Sequence, residues 1–194
     1  KLWKHNQNSS DKKYALFICH SFQMACNFLS VGSLVLRHKP SLGVLPVHMT
    51  KAGKSEAIFE GLKDPFYAGD FRNWQIIQPN QERLERLGFD ILALEKIRPH
   101  VEYERAIMAM RFSPEWVGTQ FHPEADPEGM LKHFSKPDKK KEIVEKRGKE
   151  RYYKMLAFAE DPEKLQVTFD NIIPNFLNQS IARLEKNQVV NTVR

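Results

Sequence analysis

Tyr14-Ala15-Leu16-Phe17-Ile18-Cys19-His20-Ser21-Phe22-Gln23 reads as a strand, a sharp turn and the start of a helix. Tyr14 to Ile18 is a short apolar run of the kind a buried strand shows. Phe22 to Ser30 reads as a helix with Phe22, Ala25, Cys26 and Leu29 on one side, ended by Gly32. The thiol of Cys19 therefore sits at a strand-to-helix junction. Such a junction pushes a side chain out at the top of a sheet and leaves the free N–H groups of the helix start pointing at an approaching carbonyl. The helix N-terminus also favours a thiolate. A cysteine after a strand is commonly only an apolar filler, which is the reading given to Cys26.

Working outward, Gly43 to His48 reads as a strand, and its Pro46 places it at or near a sheet edge. Pro65 to Phe71 and Trp74 to Gln78 look extended. Asn80 to Gly88 has an N-cap and a C-terminal glycine, so a short helix is predicted. Asp90 to Ile97 reads as a strand, and Lys96-Ile97-Arg98-Pro99-His100 as a basic loop. Arg105 to Phe112 and Trp116 to Phe121, joined by the turn Ser113-Pro114-Glu115, read as a β-hairpin. Asp126 opens another helix through about Phe134. Trp74 and Trp116 are expected to be packing residues.

The tail differs. Lys136 to Lys141 reads as a charged connector, and Lys141 to Ala159 as one helix with Tyr152, Tyr153, Leu156 and Phe158 as its apolar contacts. Asp161-Pro162 is an N-cap with proline at the first helical position. Leu165, Phe169, Ile172 and Ile173 continue at helical spacing to Pro174, where a break or kink is expected. Phe176, Leu177, Ile181 and Leu184 form a last amphipathic stretch, and 185–194 is expected to fray. The domain division is an α/β body over 1–136 and a helical extension over 137–194. The fold class is α/β: a flavodoxin-like or Rossmann-like open sheet with helices on both faces, a β-hairpin addition and a C-terminal helical tail.

The chain has 194 residues, 41% hydrophobic and 28% charged. No apolar run approaches the roughly 20 residues of a membrane span, so no membrane association is expected. The two cysteines, at a turn and on the following helix, read as thiols of a reducing compartment, and a cytoplasmic location is expected. The net charge is +6, but Leu131 to Lys154 holds ten Lys or Arg against four Asp or Glu. A local basic stretch of that kind is commonly a solvated helix face, so nucleic acid is not the expected partner. No Cys/His pattern matches a zinc site. No P-loop is present, so neither a cofactor nor ATP hydrolysis is expected in this chain.

His122 follows the second hairpin strand directly, with Glu124 two residues on. A carboxylate that close can fix the imidazole tautomer and stabilise its charged form. Cys19, His122 and Glu124 thus make a candidate nucleophile, base and orienter.

Phe17-Ile18-Cys19-His20-Ser21-Phe22-Gln23 resembles the Gly-x-Cys-x-Gly-x-Gln nucleophile motif of class I (triad) glutamine amidotransferases. Val117-Gly118-Thr119-Gln120-Phe121-His122-Pro123-Glu124 resembles their Gly-x-Gln-Phe-His-Pro-Glu motif. Gly43-Val44-Leu45-Pro46-Val47-His48 is similar to the GMP-synthase-like branch, and the resemblance covers about residues 14–135. It implies that Cys19 attacks the glutamine carboxamide, releasing ammonia and leaving a γ-glutamyl thioester that water hydrolyses. It further implies that His122 moves the protons, Glu124 orients His122, the His20 N–H is an oxyanion donor and Gln23 helps hold the substrate. The ammonia would pass to a synthetase partner.

Three features depart from the pattern. Phe17 and Ser21 stand at the two motif glycines, and Asp70-Phe71 aligns where many members carry Ser-His. The Gly-rich loop and first strands of the family do not occur before Tyr14, so a segment carrying them is expected upstream of this chain. Two other readings stay open: a γ-glutamyl hydrolase or homoserine acyltransferase on the same scaffold, or an inactive binding or regulatory module that dimerises through its helical tail.

Overall fold

The computed structural model describes residues 1–97 and 104–192, with the backbone alone for 187–192. Its elements follow the chain as α1 (Leu2–Asn8), β1 (Ala15–Ile18), α2 (His20–Leu29), β2 (Ser33–Met49), α3 (Lys51–Lys54), β3 (Phe66–Ile77), α4 (Gln81–Leu87), β4 (Asp90–Glu95), β5 (Ile107–Arg111), β6 (Trp116–Thr119), α5 (Pro127–Phe134), α6 (Pro137–Arg147), α7 (Lys149–Glu160) and α8 (Val167–Thr192).

Among the described residues the strands form one open sheet in the order β1-β6-β5-β4-β2-β3. Only β1 and β6 pair in parallel, with Ile18 opposite Thr119. The other pairings are antiparallel. The expected α/β open sheet is present, and the expected hairpin is β5–β6, with Met110 opposite Gly118.

Alternation along the strands sends side chains to two faces. Ile76, Ile107, Met110 and Trp116 join Phe22, Cys26 and Leu29 of α2 and Leu84 of α4 on one side. Ile77, Met108, Ala109 and Val117 join Phe121 and Ile172 of α8 on the other. Helices therefore cover both faces. Asn80 caps α4 by accepting the Arg83 N–H at 3.0 Å, and Gly88 ends it at φ 65°.

β2 lies near the sheet edge, as expected, between β4 and the edge strand β3. Pro46 is tolerated because β4 pairs only with Val47–Met49, just beyond it. Several expectations change. The expected connector at 136–141 is helical, as α6 starts with Pro137 at its first position. The single helix over 141–159 is broken at Gly148, whose φ of 88° no helix accommodates. Pro174 lies inside α8 without ending it, and the helix continues to Thr192 through most of the stretch expected to fray. Trp116 is buried, but Trp74 is 45% exposed, and Tyr153 is exposed beside buried Tyr152. Of the basic loop, Lys96 and Ile97 are described, while Arg98, Pro99 and His100 lie outside the described residues.

The tail packs on the body. Ile143, Tyr152, Met155 and Leu165 share a cluster with Val44 of β2 and Met130 and Phe134 of α5. Leu177, Ile181 and Leu184 remain exposed along α8. No described helix is long and apolar enough to cross a membrane.

Candidate active site

Parallel pairing of β1 with β6 builds the site. Each strand ends at the same end of the sheet, and a candidate residue follows each: Cys19 after Ile18, and His122 three residues after Thr119. Residues far apart in sequence are thereby brought together at carboxyl strand ends, where open α/β sheets place their sites.

Cys19 is held at φ 48°, ψ −99°, in the left-handed half of the map that residues with a Cβ rarely enter. Its N–H donates to Thr119 O at 2.8 Å, and its carbonyl accepts the Gln23 N–H at 3.0 Å. The strand is thus pinned on one side and the helix started on the other, with the thiol turned out between them. The thiol is partly buried, whereas Cys26 on the following helix is fully buried and its thiol is pushed up by that burial.

Phe17 and Ser21, where the resembling motif has glycines, each have a place. Phe17 packs its ring against Trp116 and Phe112, with centroids 5.1 and 6.1 Å away, on the α2 side of the sheet. The Ser21 hydroxyl accepts the Ile18 N–H at 2.8 Å and donates to the Ile18 carbonyl at 2.9 Å, closing the elbow with a side chain. Gly118 does need to be glycine: a Cβ there would meet Phe22 Cδ2 at 2.6 Å. That close approach seats α2 on β6.

His122 is set by its own backbone, whose N–H donates to Gly69 O at 2.8 Å, bridging it to β3. Its ring lies 5.8 Å from the Phe71 ring, centroid to centroid. Nδ1 is 2.7 Å from Glu124 Oε1. The imidazole is pushed up to about 10. The facing Cys19 side chain contributes most, the hydrogen bond with Glu124 adds to it, burial opposes both, and the facing charges supply the rest. Burial pushes Glu124 upward, but the hydrogen bond with His122, one from its own backbone N–H and the charge of His122 together outweigh it and hold the carboxyl below its usual range.

The structure holds His122 on Glu124 and turns the imidazole to the same side as the Cys19 side chain, the largest influence on it. The His20 N–H has no acceptor among the described residues, as expected of the first N–H of a helix. Gln23 is placed differently from a surface ligand contact. It is buried, and its amide donates to Gln120 Oε1 at 3.1 Å and Trp74 O at 3.3 Å.

Two participants escape the sequence reading. Gln120, fully buried, donates through Nε2 to Cys19 Sγ over 3.7 Å, and the Cys19 thiol faces Phe71 O at 3.9 Å. Gln120 stands inside the second motif, but its role follows only from the β1–β6 register. Phe71 contributes a backbone carbonyl, which no side-chain pattern reveals. Among the described residues, no three His, Cys, Asp or Glu side chains lie close enough to hold a metal ion.

No protein-family model matches this chain, and no curated protein matches it. Solved structures do. A glutamine amidotransferase from Thermotoga maritima is similar with a TM-score of 0.60 at 18% identity, over 86% of this chain and 61% of that one. A candidate GMP synthase component from Thermoplasma acidophilum gives 0.53 at 17%, over 96% and 67%. The chain spans about three fifths of the length of the first of these. What is shared at this identity is the fold.

Proposed function

We propose that this chain is the glutamine-hydrolysing part of a class I glutamine amidotransferase. The observation that carries it is a thiol on a strained strand-to-helix elbow, facing an imidazole that is itself held by a carboxylate. The fold shared with solved glutamine amidotransferases supports it.

The geometry translates into steps. A protonated His122 beside the sulfur favours the thiolate, the nucleophilic form. Cys19 Sγ forms a bond to the carboxamide carbon of glutamine, and the carbonyl oxygen becomes an oxyanion facing the free His20 N–H at the positive end of α2. His122 gives its proton to the departing nitrogen, the C–N bond breaks, and ammonia leaves a γ-glutamyl thioester. Neutral His122 then takes a proton from water as that water attacks the thioester carbon. The C–S bond breaks, glutamate departs, and the imidazolium–thiolate pair is restored. Glu124 keeps the ring in one tautomer and stabilises its charged state. The ammonia passes to a synthetase partner, a division of labour in keeping with the name of one structural relative, a component of GMP synthase.

A second reading keeps the thioester and changes the acyl group. Gln23 is committed to Gln120 and Trp74, and Asp70 points its carboxylate at Ser41 and Arg72. Those two segments thus offer few partners to the α-amino and α-carboxylate groups that glutamine and a γ-glutamyl peptide share, which leaves the group on the amide nitrogen open.

The test is product analysis. The protein is incubated with L-glutamine, and ammonia and glutamate are quantified for wild type and Cys19→Ser. Equimolar products, lost in the variant, support the amidotransferase. Cleavage of a γ-glutamyl peptide with no ammonia from glutamine would replace it with the second reading.

A further inference from the structure

The basic stretch of the tail takes no part in the thiol site. It does face a cavity of about 530 Å³, walled by β2, the end of β4 and the helices α6 and α7. Cations surround it from separate elements: Arg37 and Lys39 from β2, Lys96 after β4, and Arg147, Arg151 and Lys154 from the tail. On α7, Arg151, Lys154, Met155 and Phe158 recur at the spacing that places residues on one helix face, so the basic side is presented as a unit.

The acids in the cavity are already used. Asp70 is buried, 2.8 Å from Arg72 Nε, and accepts the Ser41 hydroxyl at 2.7 Å. Glu95 lies 3.1 Å from Arg37 Nη2 and 3.3 Å from Arg72 Nη2. Arg37 and Arg72 thus answer the two carboxylates. Arg72, whose side chain is fully buried, still has Nη1 and Nη2 without a hydrogen bond among the described residues.

Among the described residues, the remaining cations pair with no carboxylate: Lys39, Lys96 and Arg151 make no ion pair, Arg147 donates to the Pro40 carbonyl at 2.5 Å, and Lys154 lies over the Phe158 ring at 5.5 Å. The acids of α6 look elsewhere: Glu142 is taken by Lys139 and Lys146, and Glu145 by Lys141. A solvated charged face has its signs interspersed; here one sign converges on a concavity. The rest of the wall is apolar, with Leu42, Val44, Met155 and Phe158. The size falls within the range of small-molecule sites.

We propose that this cavity binds a nucleoside polyphosphate, with the phosphates on Lys39, Arg147, Arg151 and Lys154 and the base and sugar against Phe158 and Met155. The site shares no lining residue with Cys19, His122 or Glu124. The ligand is bound and not hydrolysed by this chain, which has no P-loop. The two sites nevertheless share a strand. Asp70 and Arg72 alternate along β3 with Gly69 and Phe71, whose carbonyls face the His122 N–H and the Cys19 thiol. A nucleotide in the cavity is therefore placed as an effector. The proposal does not depend on the identity of the acyl substrate, because its test reads binding.

The test is titration with a fluorescent trinitrophenyl derivative of ATP at ~0.15 M salt, with ATP, inorganic pyrophosphate and a single-stranded oligonucleotide as competitors. Saturable binding displaced by ATP is expected. Arg151→Glu and, from the opposite wall, Lys39→Glu should each weaken it by about tenfold or more, the equivalent of ~1.4 kcal/mol. Lys141→Glu and Lys149→Glu, the same charge change outside the cavity, should leave it within about twofold. Three results would overturn the proposal: absence of saturable binding, equal weakening by all four variants, or stronger displacement by the oligonucleotide than by ATP. Pyrophosphate competing as well as ATP would remove the nucleoside from the assignment.

Discussion

The Gln120 side-chain amide donates to the sulfur of Cys19 over 3.7 Å, and its own oxygen is held by Gln23 at 3.1 Å. The donor is buried and fixed before any substrate arrives, so it stabilises negative charge on sulfur without reorganising. Gln120→Leu keeps the volume and removes the donor. It is expected to slow alkylation of Cys19 by iodoacetamide about tenfold at neutral pH. An unchanged rate would make Gln120 a packing residue.

His122 carries a pH signature. Its folded value, about 10, lies above the ordinary imidazole value. The contacts that raise it therefore stabilise the fold fully below about pH 6.5, and that contribution is lost as pH rises through about 10. The His122 ring signal in an NMR titration is expected to move with a midpoint well above the ordinary imidazole value. Cys19→Ala and Glu124→Gln should each lower it, the former more, because the facing Cys19 side chain is the larger cause. The difference in urea midpoint between wild type and His122→Gln should shrink from neutral pH towards pH 10.

Gly118→Ala tests the seat of α2 on β6. The new methyl would meet Phe22 Cδ2 at 2.6 Å, and Phe22 is fully buried. Overpacking of this kind costs about 1–3 kcal/mol. A loss of that size in urea unfolding is expected, together with slower Cys19 alkylation, since the same helix start positions the thiol.

Ser21→Gly installs the residue of the resembling motif and removes both hydrogen bonds to Ile18. A loss of about 1 kcal/mol is expected, with Cys19 still reactive. A dead thiol would show that this elbow depends on its hydroxyl.

Much of this architecture is legible in the sequence where local chemistry decides it. The apolar run before Cys19, the Asn80 and Asp126 caps and the Ser113-Pro114-Glu115 turn each act within a few residues, and each element forms where expected. The helix runs on through Pro174, and the charged run at 136–141 is helical, because packing overrides propensity. Residues Ile172 and Phe176 tie α8 to the sheet core on both sides of the proline, and Ile143 ties α6 to Val44 and Met155. The site divides in the same way. Cys19, His122 and Glu124 are marked by residue type and by their positions after strands. Gln120 and the Phe71 carbonyl become visible only once β1, β6 and β3 are in place, and the cavity needs β2, β4 and α7 together.

The central claim is that Cys19 is a nucleophile built to handle a glutamine carboxamide. Its most direct test is labelling with a diazoketone analogue of glutamine, read by intact mass and peptide mapping, with Cys19→Ser and His122→Ala as controls. One adduct on Cys19, absent from both variants and suppressed by L-glutamine, is the predicted result. Failure to label while Cys19 still reacts with iodoacetamide would contradict the claim.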